Sequence, residues 1–250
     1  MFKAAAPDPV HTARYAAELG FAPGTLALPY AYLAVQRAHL ATMLADDFPF
    51  RLPGMLHVEN ALVAYAPVVP GRPLRLETAL RIEAPTASGA RFCVLDTTAW
   101  DGAQRVFGCS SKYLAPARTA HGKARTVPEP PPSLPHVGAW RVTRADALRY
   151  ARLSGDWNPI HLSRTAARLF GLRAPIIHGM HSVARAVALL EAHTGCRVTA
   201  VSVRFRSTVP LGSEVTMLHA PGSAADIGTF MLVCAGRVVV EGDFSLAQAA

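Results

Sequence analysis

The sequence predicts an α+β protein built twice over, as two antiparallel sheets each wrapped round a central long helix. Three observations carry that expectation. A proline-rich break divides the 250 residues near the middle. Each side of the break repeats one order of patterns, a helix followed by several strands. Matching punctuation recurs at a spacing of roughly 135–145 residues, as an internal duplication leaves it: Val69-Pro70-Gly71 is echoed by Val209-Pro210-Leu211-Gly212, and Asp101-Gly102 by Ala235-Gly236.

In the first half, residues 1–114, Pro29 opens a helical pattern with Leu33, Leu40, Met43 and Leu44 on one face. From Leu74 to Ile82 the chain alternates, with Leu74, Leu76, Thr78, Leu80 and Ile82 on one side. Two more strand-like runs span about 90–100 and 104–114, joined at Asp101-Gly102 as a hairpin. Residues 115–136 form a linker, because Pro128, Pro130, Pro131, Pro132 and Pro135 remove donors and fix φ. In the second half, residues 137–250, Thr143 caps a short helix and Asp146 completes a variant capping box. A second short helix spans about Thr165 to Phe170. A long one runs from near His178 to about His193, with Met180, Val183, Val187 and Leu190 as its buried stripe and Gly195 as its stop. Strand patterns follow at 197–209, 213–220, 226–235 and 237–246.

Composition narrows the function classes. Half the residues are hydrophobic and 17% are charged, which describes a globular chain. No apolar stretch is long enough to span a membrane, and the start, Met1-Phe2-Lys3, lacks a signal-peptide apolar region; the expected location is the cytoplasm. The formal charge of +8 is carried almost wholly by arginine. No basic run or nucleic-acid motif accompanies it, so no nucleic-acid partner is expected; phosphates on a nucleotide-like carrier are the best functional match. Cys93, Cys109, Cys196 and Cys234 form no C-x-x-C pair and read as plain buried thiols.

One segment carries chemistry, Ser154-Gly155-Asp156-Trp157-Asn158-Pro159-Ile160-His161, with Ile177-His178-Gly179-Met180 following after the short helix. Asn158-Pro159 forces a turn between Asp156 and His161. A turn can aim a carboxylate and an imidazole at one cavity, where they hold one water and move its protons. Gly179 opens a long apolar helix, and free N–H groups there, with no Cβ in the way, suit developing negative charge. Such a set adds water across a double bond conjugated to a carbonyl.

These two blocks resemble the MaoC-like family of (R)-specific enoyl-CoA hydratases and dehydratases. The close match spans about 143–193. The resemblance implies a double hotdog arrangement, an acyl-CoA or acyl-carrier-protein thioester as substrate, and no cofactor. It also implies Asp156 and His161 as the catalytic pair, the Gly179 N–H on the thioester oxygen, and Asn158 as the residue that orients the pair. Ser163 departs from the family pattern, which often has an acidic residue there. The first half lacks the motif and is expected to be silent, completing the fold and the acyl tunnel.

Each signal also has a plainer explanation. Taken singly, Asp156 is a turn cap and His161 a structural histidine; the whole motif makes them catalytic. His178 either supports the site or makes a structural hydrogen bond. His178 and His181 stand at a metal spacing, but no third ligand is suggested, so no metal is expected. Ser154 is a hydrogen-bonding residue, since no nucleophile elbow surrounds it. Trp157 is expected at the mouth of the site and Met180 at the edge of the acyl pocket. Arg204 and Arg206 either meet carrier phosphates or sit on a solvated strand face. Glu191 lies too late in its helix to serve a thioesterase, and the intact pair argues against a silent binding subunit. A homodimer is compatible with the sequence, in which no residue pattern specifies one.

Overall fold

The structure, a computed structural model, describes residues 2–24, 26–69, 71–116, 133–224 and 226–247. Its elements in order are β1 (Phe2–Ala4), α1 (Pro9–Leu19), α2 (Leu28–Met43), β2 (Leu56–Ala64), β3 (Leu74–Ile82), β4 (Phe92–Asp101) and β5 (Gln104–Leu114), then β6 (His136–Arg141), α3 (Arg144–Ser154), a 3-10 turn (Pro159–His161), α4 (Arg164–Leu169), α5 (Gly179–Thr194), β7 (Val198–Phe205), β8 (Glu214–Pro221), β9 (Ile227–Cys234) and β10 (Arg237–Leu246).

All ten strands belong to one antiparallel sheet, ordered β1-β3-β4-β5-β2-β7-β10-β9-β8-β6. This corrects the expectation of two sheets. The order reads the same from either edge inward, so the duplication is real, but β2 hydrogen-bonds to β7 from Glu59↔Arg204 to Val63↔Ala200. Two edges that would otherwise stay unpaired satisfy each other.

The repeat extends to the helices. α1 and α3 each have 11 residues, and α2 and α5 each have 16. α1 ends at Gly20 with φ 83° and α3 at Gly155 with φ 76°, the left-handed cap that glycine adopts without Cβ strain. Residues 21–27 then lead to α2, whereas the longer run 156–178 leads to α5. The motif segment fills that longer run, and the first half has no equivalent of it.

α5 is buried where its spacing predicts: Met180, Val183, Val187 and Leu190 all lie in the core. Each such side chain contributes about 1.5–3 kcal/mol on burial. α2 follows its predicted face only in part. Leu33 is buried as predicted, with Leu28, Ala31, Tyr32, Val35, Ala38 and His39, and Met43 is half-buried, while Leu40 and Leu44 are exposed. His39 can face inward because its Nε2 pairs with Thr97 Oγ1 at 2.9 Å. Once that polar contact is made, the stripe through Leu28, Val35 and His39 wins, and it turns Leu40 and Leu44 to solvent. In β3, Leu74 and Leu76 are buried but Leu80 and Ile82 are exposed, so the alternation outlasts the core beneath it.

The predicted hairpins form, with Asp101 opposite Gln104 and Cys234 opposite Arg237. Most of the predicted linker, including Pro128, Pro130, Pro131 and Pro132, lies outside the described residues. Its last residue, His136, already belongs to β6, an edge strand against β8. Cys93, Cys109 and Cys234 are buried free thiols, as expected. Cys196 is half-buried between α5 and β7, outside any strand. Among the described residues, no helix is long and apolar enough to cross a membrane.

Candidate active site

The site is assembled where α3 stops. Thr143 and Asp146 form the capping box that starts α3, with Thr143 N–H donating to Asp146 Oδ2 at 2.7 Å. Burial of Ala147, Tyr150, Ala151 and Leu153 pins the helix down. Its last residue, Ser154, bends back: the hydroxyl donates to the Tyr150 carbonyl at 2.8 Å and accepts the Asp156 N–H at 3.1 Å. Asn158 N–H then donates to Asp156 Oδ1 at 3.1 Å. Asn158 Oδ1 in turn accepts the Ile160 N–H at 3.3 Å, starting the turn that carries His161. Asn158 therefore orients Asp156 through its backbone, while its side chain shapes the turn.

His161 is buried, and its Nδ1 lies 2.9 Å from the Ile176 carbonyl. A carbonyl only accepts, so Nδ1 carries the proton and a neutral ring leaves Nε2 bare. Burial holds its pKa below the ordinary 6.5, against the opposing pull of the Ile176 hydrogen bond and the Asp156 charge. His161 is thus neutral, with Nε2 unprotonated.

His178 lies directly against His161 and Asp156. Its ring stacks on His161 with centroids 3.7 Å apart, and its Nε2–H donates to the Asp156 carbonyl at 3.0 Å. Burial and the neighbouring His161 lower its pKa to about 4. Two stacked imidazoles repel a second proton, so the pair stays at most singly charged. Tyr150, which sequence reasoning does not single out, supports this ring from behind at 5.0 Å and packs edge-on against His181 at 5.5 Å. Its hydroxyl proton is held tightly, since burial raises its pKa. The spacing of Tyr150 one helical turn before Ser154 is the signal that could have found it.

One ligand-type atom each from Asp156, His161 and His178 lies within 4.8 Å of the others. The third partner for a metal is therefore Asp156, whereas the sequence spacing pairs His178 with His181. The stacking angle of 26° counts against an ion. Lone pairs lie in the ring planes, and two nearly parallel planes do not converge on one point at metal–nitrogen distance.

Gly179 is the next residue and the first of α5. It is exposed between buried His178 and buried Met180. No side chain caps α5, so its first turn keeps donors free. A Cβ at Gly179 would lie 2.8 Å from Phe205 Cε1, so the close approach of β7 requires glycine there. Phe205 in turn packs on His57 at 5.2 Å, linking the site to the first half.

Other predicted contributors are placed elsewhere. Met180 is buried in the core, next to Gly179, while Trp157 is 53% exposed. The turn at Asn158-Pro159 throws Trp157 outward as it brings Asp156 in. Ser163, the departure from the family pattern, caps α4 by accepting Ala166 N–H at 3.3 Å. Arg206 pairs with Glu241 at 2.6 Å and Arg204 lies 3.7 Å from Glu59, so both sit against carboxylates. Glu191 holds Arg197 Nε at 3.1 Å and Val198 N at 3.0 Å, a structural role that joins α5 to β7. A cavity of about 390 Å³ between β1, α1 and α2 contains none of the motif residues.

Residues 128–229 match the family model described as MaoC like domain. The chain is 31% identical to 3-hydroxyacyl-thioester dehydratase X of Mycobacterium tuberculosis over 221 residues, 86% of this chain and 77% of that protein. A shorter stretch, 28% of this chain and 43% of its relative, is 35% identical to the mitochondrial 3-hydroxyacyl-[acyl-carrier-protein] dehydratase of Arabidopsis thaliana. Among solved structures, HtdX of Mycobacterium tuberculosis superposes with a TM-score of 0.79 at 27% identity, covering 98% of both chains. A second structure from Mycobacterium tuberculosis, described as a double hotdog fold, matches with a TM-score of 0.59 at 16% identity, over 97% of this chain and 88% of that one, a likeness of fold alone. A motif turn built around a carboxylate and a neutral histidine, in a duplicated hotdog sheet shared end to end with such relatives, makes this chain a hydro-lyase of the MaoC-like dehydratase family.

Proposed function

We propose that the protein removes water reversibly from an (R)-3-hydroxyacyl thioester to give the trans-2-enoyl thioester, with Asp156 and His161 handling the water. The observation that carries this is the tautomer of His161: Nδ1–H is given to Ile176, which leaves Nε2 bare on a ring grouped with the Asp156 carboxylate. In the dehydration direction the pair takes the proton from C2 and returns one to the C3 hydroxyl. The C2–H electrons become the double bond and the hydroxyl leaves as water. The Gly179 N–H supports the negative charge that gathers on the thioester oxygen. Ser154, Asn158 and His178 position Asp156. No group in this scheme requires a cofactor. The matching architecture is a double hotdog in which α2 and α5 are the central helices, with the first half (1–114) silent and the second (137–250) catalytic.

The test is a hydration assay with trans-2-enoyl-CoA and carrier-bound substrates of short, medium and long chain. Chiral analysis of the product and free thiol are followed together. An (R) product without thiol release is expected. An (S) product would overturn the facial assignment, and thiol release would make the protein a thioesterase.

A further inference from the structure

The surface beside the motif turn is both apolar and basic. From Trp157 to Leu190 the chain has no aspartate or glutamate but has Arg164, Arg168, Arg173 and Arg185. Arg185 is engaged with the Leu19 carbonyl at 3.0 Å. Arg164, Arg168 and Arg173 are exposed, and among the described residues none is paired with a carboxylate. Arg149, Arg204 and Arg206, by contrast, each face an acid. On α4, Arg164 and Arg168 are one turn apart and share a face. Leu169 and Phe170 follow directly, 83% and 51% exposed, and Trp157, which precedes the turn, is also exposed. α4 packs on the Pro159–His161 turn, so this surface lies on the segment that links His161 to Gly179.

Two carriers of a thioester would use this surface differently. The phosphates of coenzyme A match the arginines and its adenine can stack on Phe170, but one nucleotide is small for a surface that also exposes Leu169 and Trp157. A small acidic protein domain supplies carboxylates for the arginines and an apolar helix face for the leucine and phenylalanine, the composition of a docking interface with a hydrophobic centre and charged rim. We propose that Arg164, Arg168, Leu169 and Phe170 dock an acidic carrier domain that presents the acyl group on a flexible phosphate-linked thiol arm, in preference to coenzyme A. The proposal deepens the dehydratase reading and rests on it for the destination of the arm.

Binding and turnover separate the two. A purified acidic acyl carrier protein with its thiol arm is titrated into the wild-type protein and into Arg164→Glu, Arg168→Glu and Leu169→Ser by calorimetry. Turnover is measured with one 3-hydroxyacyl group carried on the same carrier or on coenzyme A. The wild type is expected to bind the carrier, and each arginine variant to weaken binding by about tenfold or more, as reversing a charge at a complementary interface does. KM for the carrier substrate should rise in parallel, while kcat and the KM for the coenzyme A substrate stay within about twofold. Absence of carrier binding to the wild type overturns the docking surface whatever the turnover. Equal losses on both substrates also overturn it, by assigning the arginines to coenzyme A phosphates. Carrier binding that depends on these residues without turnover of either substrate supports the docking surface and sinks the dehydratase reading instead.

Discussion

At the scale of residues, the decisive detail is which nitrogen of His161 is bare, and a backbone carbonyl settles it. Asp156→Asn and His161→Ala are each expected to lower kcat by about 10²–10⁴, the usual worth of a positioned acid or base, with circular dichroism unchanged. The low-pH limb of kcat/KM should have its midpoint below the ordinary histidine value of 6.5, because burial holds the His161 pKa down. A midpoint above 6.5 would mean that the Asp156 charge outweighs burial. Gly179→Ala places a Cβ 2.8 Å from the Phe205 ring and should cost about 1–3 kcal/mol of stability through overpacking, with loss of turnover. Adding Phe205→Leu should restore stability and part of the activity. If it restores neither, the requirement for glycine is not steric.

At the scale of elements, the site depends on how α3 ends. Gly155 has φ 76° with nothing near where a Cβ would sit, so Gly155→Ala meets only backbone strain, about 1–2 kcal/mol. The expected result is a thermal midpoint lower by roughly 2–8 °C and a larger relative loss of kcat, because Asp156 is the next residue. The same change at Gly20, which caps α1, should destabilise without reaching the catalytic pair by that route; a Cβ there meets the Arg185 guanidinium at 2.8 Å. The contrast reflects the connections that follow the two caps. Residues 156–178 have room for a turn, α4 and the stacked histidines, and residues 21–27 do not.

At the scale of the molecule, burial of histidine couples stability to pH. Burial lowers the pKa of His39 and His181 to about 3, and of His57 and His178 to about 4, while unfolded histidine titrates near 6.5. Below 6.5 the unfolded chain takes up protons that the folded chain refuses, so stability is full above 6.5 and falls as the pH drops towards 4. The thermal midpoint should fall steeply between pH 7 and pH 4.5, by roughly 20 °C or more if all four rings stay neutral in the fold. A flat profile would show that these rings are hydrated or protonated in the fold. The halves are expected to unfold together, because Arg149 bonds to Glu18 at 2.8 Å and Arg197 to the Leu26 carbonyl at 2.8 Å across the join.

What the sequence determined by itself was local or periodic. The Thr143–Asp146 capping box, the α5 stripe from Met180 to Leu190, the two hairpins and the Asp156-to-His161 turn all follow from contacts within a few residues, and the duplication follows from repeated punctuation. The tertiary structure alone decided the rest. It joined β2 to β7 and made one sheet of two, because edge pairing is a long-range choice that no single strand encodes. It turned α2 so that His39 faced inward on Thr97 and Leu40 faced out, since burial of a polar ring depends on a partner 58 residues away. β1 and β6, with 3 and 6 residues, are too short for a period to reveal them, and α1 buries only Tyr15, Ala16 and Leu19. His178 could be weighed from sequence but not assigned, because its stacking on His161 and its bond to the Asp156 carbonyl exist only once α5 and the motif turn are brought together by the core beneath them.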